Sequence, residues 1–508
     1  MSAIFRTMNT SNFRPRDVNA SFLIDGEPVL SVAQVRAVEA QFPNVDLMRR
    51  AGRAAAEFLF ENAALSERIV LFAGPGNNGG DALACAAELA QAGYTPHVVM
   101  HGDPAKFDQD AQRAWSRVQE LAVITVSRDA TPLGHPIDAD WIVDGLFGIG
   151  LKRPLTGAFR DAVLAINNAR SQGAKVLALD TPSGIDADTG NVFDPDVCVC
   201  ADHTMTFIAY KVGLLTGPAL DFVGSLQLAD LALEWSGELD AVGSTVAGIN
   251  FTRGASANAH KGTHGTCAIY GGANGMLGAV LLGSRAAMRM GAGKVKAAWL
   301  ADPFPQVDPQ MPEVMMRSAS DSSADGATAL VIGPGLGVSG AAVRVLKTQL
   351  KRDIPIVIDA DALNLIAESA ELAKLVQSRK SPTIITPHPA EAGRLLGAST
   401  ASVQSDRVRA AKDLAKGYRC VAVLKGAGTV IADGTTVTIN RTGNPLLATA
   451  GTGDVLAGMI GALLAQGYTA QNAARVGVAF HGAAADAMAE RGVTRAVASD
   501  LIAELAHL

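Results

Sequence analysis

Two α/β domains, each built on a largely parallel sheet with helices on both faces, are the fold this sequence predicts. Three observations predict it. The chain has 508 residues, more than a single hydrophobic core normally serves, so two domains are expected. Apolar residues make up 48% and charged residues 18%, with abundant Gly and Ala and few aromatics, which suits tightly packed layers rather than a disordered or fibrous chain. Short apolar runs ending in Gly, Asp or Pro alternate with helical stretches, the rhythm of strand-helix units in a parallel sheet.

Residues 1–28 carry scattered Asn, Arg and Pro without periodicity and read as an irregular arm. Ser31, followed three residues later by Gln34, forms a capping-box pattern that opens a helix. A second helical run covers 47–60, and strands are then predicted at 69–73, 96–100, 141–143, 176–179 and 203–207. Between Leu233 and Ile249 the pattern lapses into Ser, Gly, Glu and Asp, which places a boundary within 236–248 and divides the chain into domains 1–238 and 239–508. The second half resumes with strands at 266–270, 294–299, 329–332, 355–358, 383–385 and 421–424, and with a helix from near Gly453 to about Gln466. Substrate is expected outside the carboxyl ends of the strands.

The longest apolar stretch, 455–465, is about half of what a membrane span needs, and no basic-then-apolar signal segment opens the sequence, so a cytoplasmic protein without membrane partners is expected. The five cysteines include no CxxC pair and their odd count argues against a disulfide framework. Cys198 and Cys200 alternate in what reads as a strand, a pattern of packing rather than of metal binding. A net charge of −6 gives no electrostatic footprint for nucleic acid.

In the first half, Gly74-Pro75-Gly76-Asn77-Asn78-Gly79-Gly80-Asp81 joins a strand to a helix. Glycines there let backbone N–H groups approach a phosphate at a helix N-terminus, and the pyrophosphate of a dinucleotide would fit. An ordinary tight turn explains the glycines equally well, but not the adjacent polar oxygens of Asn77, Asn78 and Asp81. Asp144 and Asp180 each stand where a strand meets a Gly-containing loop, the second loop carrying Ser183. Their oxygens suit a hard cation, while helix capping remains open for either aspartate.

Leu47-Met48 through Ala51-Gly52, GPGNNGGD, DGLFGIGL, LDTPSGID and 202–211 (DHTMTFIAYK) together resemble the YjeF-type NAD(P)H-hydrate epimerase domain across most of the first half. The resemblance implies a Rossmann-like domain in which Asn77, Asn78, Gly79, Gly80 and Asp81, with Gly148, Ile149 and Gly150, contact the dinucleotide. It also implies K+ ligation by Asn78, Asp144 and Ser183, and contact of Asp180 with the hydrated ring. Epimerisation needs proton transfer, for which Asp180 with Lys211 is the expected pair; a solvated Lys211 is the alternative. Ala82 and Ile149 depart from the glycine and threonine common in the family, which puts details of substrate contact in doubt.

In the second half, Asn444 to Asp454 (NPLLATAGTGD) leads straight into an apolar helix. Amides of 451–453 at a helix start form an anion hole with Asp454 beside it as a base, the arrangement that phosphoryl transfer to a hydroxyl requires. A Gly-rich turn with Asp as dipole partner is the bland reading. Upstream, Lys425-Gly426-Ala427-Gly428-Thr429 leaves a strand and would clasp a nucleotide, with Lys425 toward its phosphates; neither string is a Walker A sequence. Ile332 to Gly337 (IGPGLG), Ile358 to Asn364 (IDADALN) and Thr386 to Glu391 (TPHPAE) face the same expected crevice, with Asp359 and Glu391 as either magnesium-nucleotide organisers or helix caps.

With His260-Lys261-Gly262, Gly271-Gly272 through Gly278-Ala279, and Pro312-Glu313, these strings resemble the ADP/ATP-dependent NAD(P)H-hydrate dehydratase domain, a ribokinase-like fold, over nearly all of the second half. The whole chain is thus expected to hold two three-layer αβα domains, Rossmann-like then ribokinase-like. The resemblance implies phosphorylation of the ring hydroxyl, with Asp454 as base and ADP as co-substrate with Mg2+, followed by elimination of phosphate. Gly335, His388 and Asp454 would meet the hydrate, whereas Lys425, Gly426, Ala427, Gly428, Thr429 and Gly453 would bind the nucleotide. The expected partners are small molecules, hydrated NADH and NADPH and ADP, in a homo-oligomer. Two rivals are a small-molecule kinase with a regulatory front half, and a front half that only binds.

Overall fold

In a computed structural model of the chain, residues 26–128, 137–235, 242–246, 260–320 and 326–508 are described. The arm at 1–25 and most of the expected boundary at 236–248 lie outside the described residues.

The front sheet runs, in spatial order, Thr125–Arg128, His97–Met100, Ile69–Ala73, Trp141–Gly145, Lys175–Leu179, His203–Phe207 and Ser225–Ala229, with every neighbouring pair parallel. Its central strands read as unbroken apolar runs because both faces are covered. In Ile69–Ala73 the residues alternate between two cores: Ile69, Leu71 and Ala73 on one face, Val70 and Phe72 on the other. Helices Leu47–Asn62, Asn77–Gln91 and Gln109–Glu120 supply the first core and Ala158–Ser171 the second. The chain builds outward in both directions from Ile69–Ala73, so the strand order reverses between it and Trp141–Gly145. Loops leaving those two strand ends diverge and open a crevice.

Among the described residues the second sheet has 12 strands. Met315–Ser318, Lys294–Trp299, Thr266–Gly271, Ala329–Ile332, Ile356–Ile358, Thr383–Ile385 and Val421–Leu424 form its parallel part. Here too the alternation is strict, Cys267 and Ile269 entering one core and Ala268 and Tyr270 the other. The order reverses between Thr266–Gly271 and Ala329–Ile332, beside which helix Thr452–Ala465 packs. An antiparallel hairpin, Val430–Ala432 with Val437–Asn440, extends the sheet.

Two expectations need correction. The halves are not structurally separate: Gly243–Val246 pairs with Val437–Asn440, and Pro28–Leu30 and Tyr210–Lys211 from the front half continue the same sheet. Nor do Cys198 and Cys200 lie in a strand. They follow a short 3-10 turn, Pro195–Val197, and the Asn167 side chain takes the backbone bonds a strand neighbour would make, donating to Cys198 O at 2.8 Å and accepting from Cys200 N at 2.9 Å. Cys198 is buried all the same. Among the described residues no helix is long and apolar enough to cross a membrane.

Candidate active sites

The front crevice is a cavity of about 760 Å³ at the strand-order reversal. Asn77, Asn78 and Asp81 line it from the first loop and helix, Gly148, Ile149 and Gly150 from the second loop, and Asp180 and Lys211 from its floor. Gly79 and Gly80 do not line it. They lie beneath, where a side-chain carbon would meet Gly74 O at 2.0 Å or the Met48 side chain at 2.4 Å, so the lack of a side chain there permits close packing.

Asp180 has a left-handed backbone, φ 61°, at the end of Lys175–Leu179, a conformation Asp tolerates better than most residues. Its Oδ1 accepts from Lys211 Nζ at 2.5 Å. The ammonium also donates to Phe207 O at 2.7 Å and Thr206 Oγ1 at 2.8 Å. Lys211 is fully buried, not solvated. Its three protons are thereby committed, so it fixes the carboxylate and leaves Oδ2 as the oxygen facing Gly148, 3.1 Å from where a side-chain carbon would sit. Two further carboxyls surround this ion pair. Burial first, then the Asp180 charge, raises Glu39, and the same causes raise Asp81 well above the usual carboxylate range, with Lys211 opposing both. Sequence reasoning missed Glu39. Its signal was an acidic residue four positions after buried Val35, on the apolar stripe of helix Val32–Glu39.

Asp144 caps no helix. Its carboxylate accepts from Ser183 N and Ser183 Oγ, both at 2.8 Å, and from Leu146 N at 3.1 Å, while burial pushes it up to about 6 against those bonds. Asn78 is buried, and neither its Oδ1 nor its Nδ2 has a protein partner. One carboxylate, one hydroxyl and one orphaned amide oxygen are a donor set of low charge, which fits a monovalent cation better than a divalent one.

The second site gathers at the reversal of the second sheet. Gly451, φ 90°, turns the chain into Thr452–Ala465, and no side chain caps that helix, so amides of its first turn stay available to an anion. The buried His481, lowered to about 4 mainly by burial, is neutral and donates from Nε2 to Thr452 O at 2.9 Å, steadying the turn. Burial, then the Asp359 charge, pushes Asp454 up to about 7 despite nearby Lys425. Lys425 Nζ donates to Asp359 Oδ1 at 2.8 Å and sits 3.4 Å from where a Gly453 side-chain carbon would lie. Burial lowers its proton affinity, but the charges of Asp359 and Glu391 outweigh this and hold it above the ordinary lysine value.

Asp359 therefore serves Lys425 rather than capping a helix; Thr386 Oγ1 holds it at 2.7 Å. Glu391 does cap: it accepts from His388 N at 2.8 Å, and His388 Nδ1 accepts from Ala390 N at 3.1 Å. His388 stays half-exposed within the field of Lys425 and Asp359. Gly335, φ 56°, closes its turn against Met276 and accepts from Ala273 N at 2.7 Å. Residues 426–427 are exposed and Gly428 and Thr429 half-buried. Among the described residues no three His, Cys, Asp or Glu side chains cluster as metal ligands.

Residues 267–507 match the family described as NAD(P)H-hydrate dehydratase, and residues 44–213 match the YjeF-related protein N-terminus. The chain is 37% identical over 493 residues to the bifunctional NAD(P)H-hydrate repair enzyme Nnr of Coxiella burnetii, covering 92% of this chain and 96% of that one. It is 36% identical to the protein of the same name from Escherichia coli, covering 91% of this chain and 89% of that one. Among solved structures, the ADP/ATP-dependent NAD(P)H-hydrate dehydratase of Bacillus subtilis aligns with 50% of this chain and 91% of its own, at 33% identity and a TM-score of 0.46.

Proposed function

The chain belongs to the bifunctional NAD(P)H-hydrate repair enzymes, and on that premise we propose that its front half interconverts the R and S hydrates of NADH and NADPH while its back half dehydrates the S hydrate using ADP. One observation carries the reading: each of two sheets opens, at the strand-order reversal of its parallel strands, onto an aspartate beside a lysine, wholly buried in the front site and 19% exposed in the back one. We assign 1–238 to the first activity and 239–508 to the second.

In the front site Asp180, held through Oδ1 by Lys211, offers Oδ2 for proton transfer at the hydrated ring. Asp81 and Glu39, both raised in proton affinity by burial and by the Asp180 charge, stand beside it as the carboxyls from which a proton could be returned to the ring. Asn77, Asn78 and residues 148–150 hold the dinucleotide. Asn78, Asp144 and Ser183 would hold K+, whose bound charge would anchor the anionic pyrophosphate end.

In the back site Gly335 and His388 position the hydrate and Asp454 takes the proton of its ring hydroxyl. That oxygen attacks the terminal phosphorus of ADP, the bond to the bridging oxygen breaks, and AMP leaves. The ring phosphate then departs with its C–O bond pair as the neighbouring ring carbon loses a proton, restoring the double bond. Hydroxide is too poor a leaving group for that step unaided. Amides at 451–453 and Lys425 meet the charge on the transferred group, and 426–429 hold the nucleotide. Mg2+ on the phosphates would neutralise charge there.

The test is to incubate the full chain with mixed R and S hydrates and follow recovery of reduced-nicotinamide absorbance. Complete, ADP-dependent recovery is expected. Recovery stopping at the S fraction removes the epimerase half of the proposal, and no recovery, with phosphate appearing on another metabolite, would indicate a small-molecule kinase.

A further inference from the structure

We infer that Thr216, from the front half, and Arg407, from the back half, are positioning residues that hold the 425–429 loop in the conformation that receives ADP. This rests on the reading that the loop binds the nucleotide. Arg407 is 1% exposed, yet each partner of its guanidinium is neutral: Thr216 Oγ1 at 2.8 Å, Gln404 Oε1 at 2.6 Å, and the carbonyls of Leu424 and Lys425, each at 3.2 Å. Among the described residues no carboxylate pairs with it, and a buried cation so placed is costly and calls for a reason. Both terminal nitrogens lie 3.0 Å from where a Gly426 side-chain carbon would sit, directly under the loop. An anionic ligand above the loop supplies the missing charge.

The front half forms the floor of that loop. Thr216 Oγ1 accepts from Arg407 Nε and donates its proton to Gly428 O at 2.7 Å, with Ala427 O at 3.1 Å as the alternative. Gly217 N donates to Ala427 O at 3.2 Å. Gly428, φ 62°, runs so close to Leu215 that a side-chain carbon would come within 1.9 Å of its carbonyl oxygen. Thr216 lies five residues beyond Lys211, on the segment Val212–Leu214 and Gly217–Ala219 that leaves the front site. The nucleotide site of one activity is therefore built partly by the domain that carries the other.

The test measures both activities in the full chain. Thr216→Val keeps the shape but loses the hydroxyl bonds, and is expected to raise the KM for ADP about tenfold, equivalent to about 1.4 kcal/mol. The kcat of dehydration and the epimerisation rate should stay within about twofold, and Thr216→Ser should restore the ADP KM. Arg407→Lys, which keeps a charge but loses the planar fork, should raise the ADP KM likewise. An unchanged ADP KM in Thr216→Val overturns the inference, as does parallel loss of both activities with no rescue by serine. Lys425→Gln separates the two levels: if it binds ADP like the parent, the reading of the loop itself fails. If Lys425→Gln weakens ADP and Thr216→Val does not, only the positioning role fails.

Discussion

Replacing Lys211 with methionine, close in shape but without charge, asks whether the buried ion pair is the working part of the front site. The side chain of Lys211 is wholly buried and that of Asp180 only 12% exposed, so removing the ammonium leaves a carboxylate with little solvent to replace its partner. Breaking such a pair from one side costs about 3–5 kcal/mol. Two more acceptors, Thr206 Oγ1 and Phe207 O, lose their donor at the same time. For a domain of this size that corresponds to a fall of about 10 °C in the melting transition of the front half. Epimerisation should fall about 10²–10⁴-fold, the usual worth of a positioned acid or base. Dehydration of purified S hydrate should persist, because Asp454 and Lys425 do not touch this pair. The double variant Lys211→Met with Asp180→Asn removes the orphaned charge, so it should regain much of the lost stability and none of the epimerisation. Calorimetry on the full chain, with separate assays of R-to-S conversion and ADP-dependent recovery, reads all of these. A Lys211→Met protein that epimerises normally refutes the assignment, and one with unchanged melting refutes the energetics of the pair.

Asp454→Asn should abolish dehydration while the R and S hydrates still interconvert; equal loss of both activities would break the two-site model. Because burial and the Asp359 charge push Asp454 up to about 7, and a base acts only when deprotonated, dehydration should rise with pH through about 7 and decline below it; a profile flat from acid to neutral pH would remove Asp454 as the base. Gly148→Ala places a methyl 3.1 Å from Asp180 Oδ2 and 3.2 Å from the Asn78 amide, and should slow epimerisation roughly ten- to a hundredfold by misplacing the ring. Dehydration and melting are expected to move little, and normal epimerisation would show that the ring does not pass this point.

Both activities depend on strands that were readable in advance, and the reason is burial on both faces. Ile69–Ala73, Thr383–Ile385 and Val421–Leu424 are apolar at every or nearly every position because no side faces water. Shorter edge elements carry no such mark: Ser225–Ala229 is half-exposed along most of its length and Tyr210–Lys211 is two residues long. The hairpin Val430–Ala432 and Val437–Asn440 did have a turn signal in Asp433-Gly434, and Asp433 accepts there from Thr435 N and Thr436 N.

Sequence alone determined the layered α/β fold and the family, because these follow from local periodicity and from strings of adjacent residues. Only the tertiary structure decided that Lys211 is buried on Asp180, that Asp359 serves Lys425, that Gly79 and Gly80 are closely packed, and that the front half reaches Arg407 and the 425–429 loop. Those outcomes depend on which side chains from distant segments meet where water is excluded. Spacing along a chain does not encode that, whereas desolvation and charge pairing at the meeting point settle it.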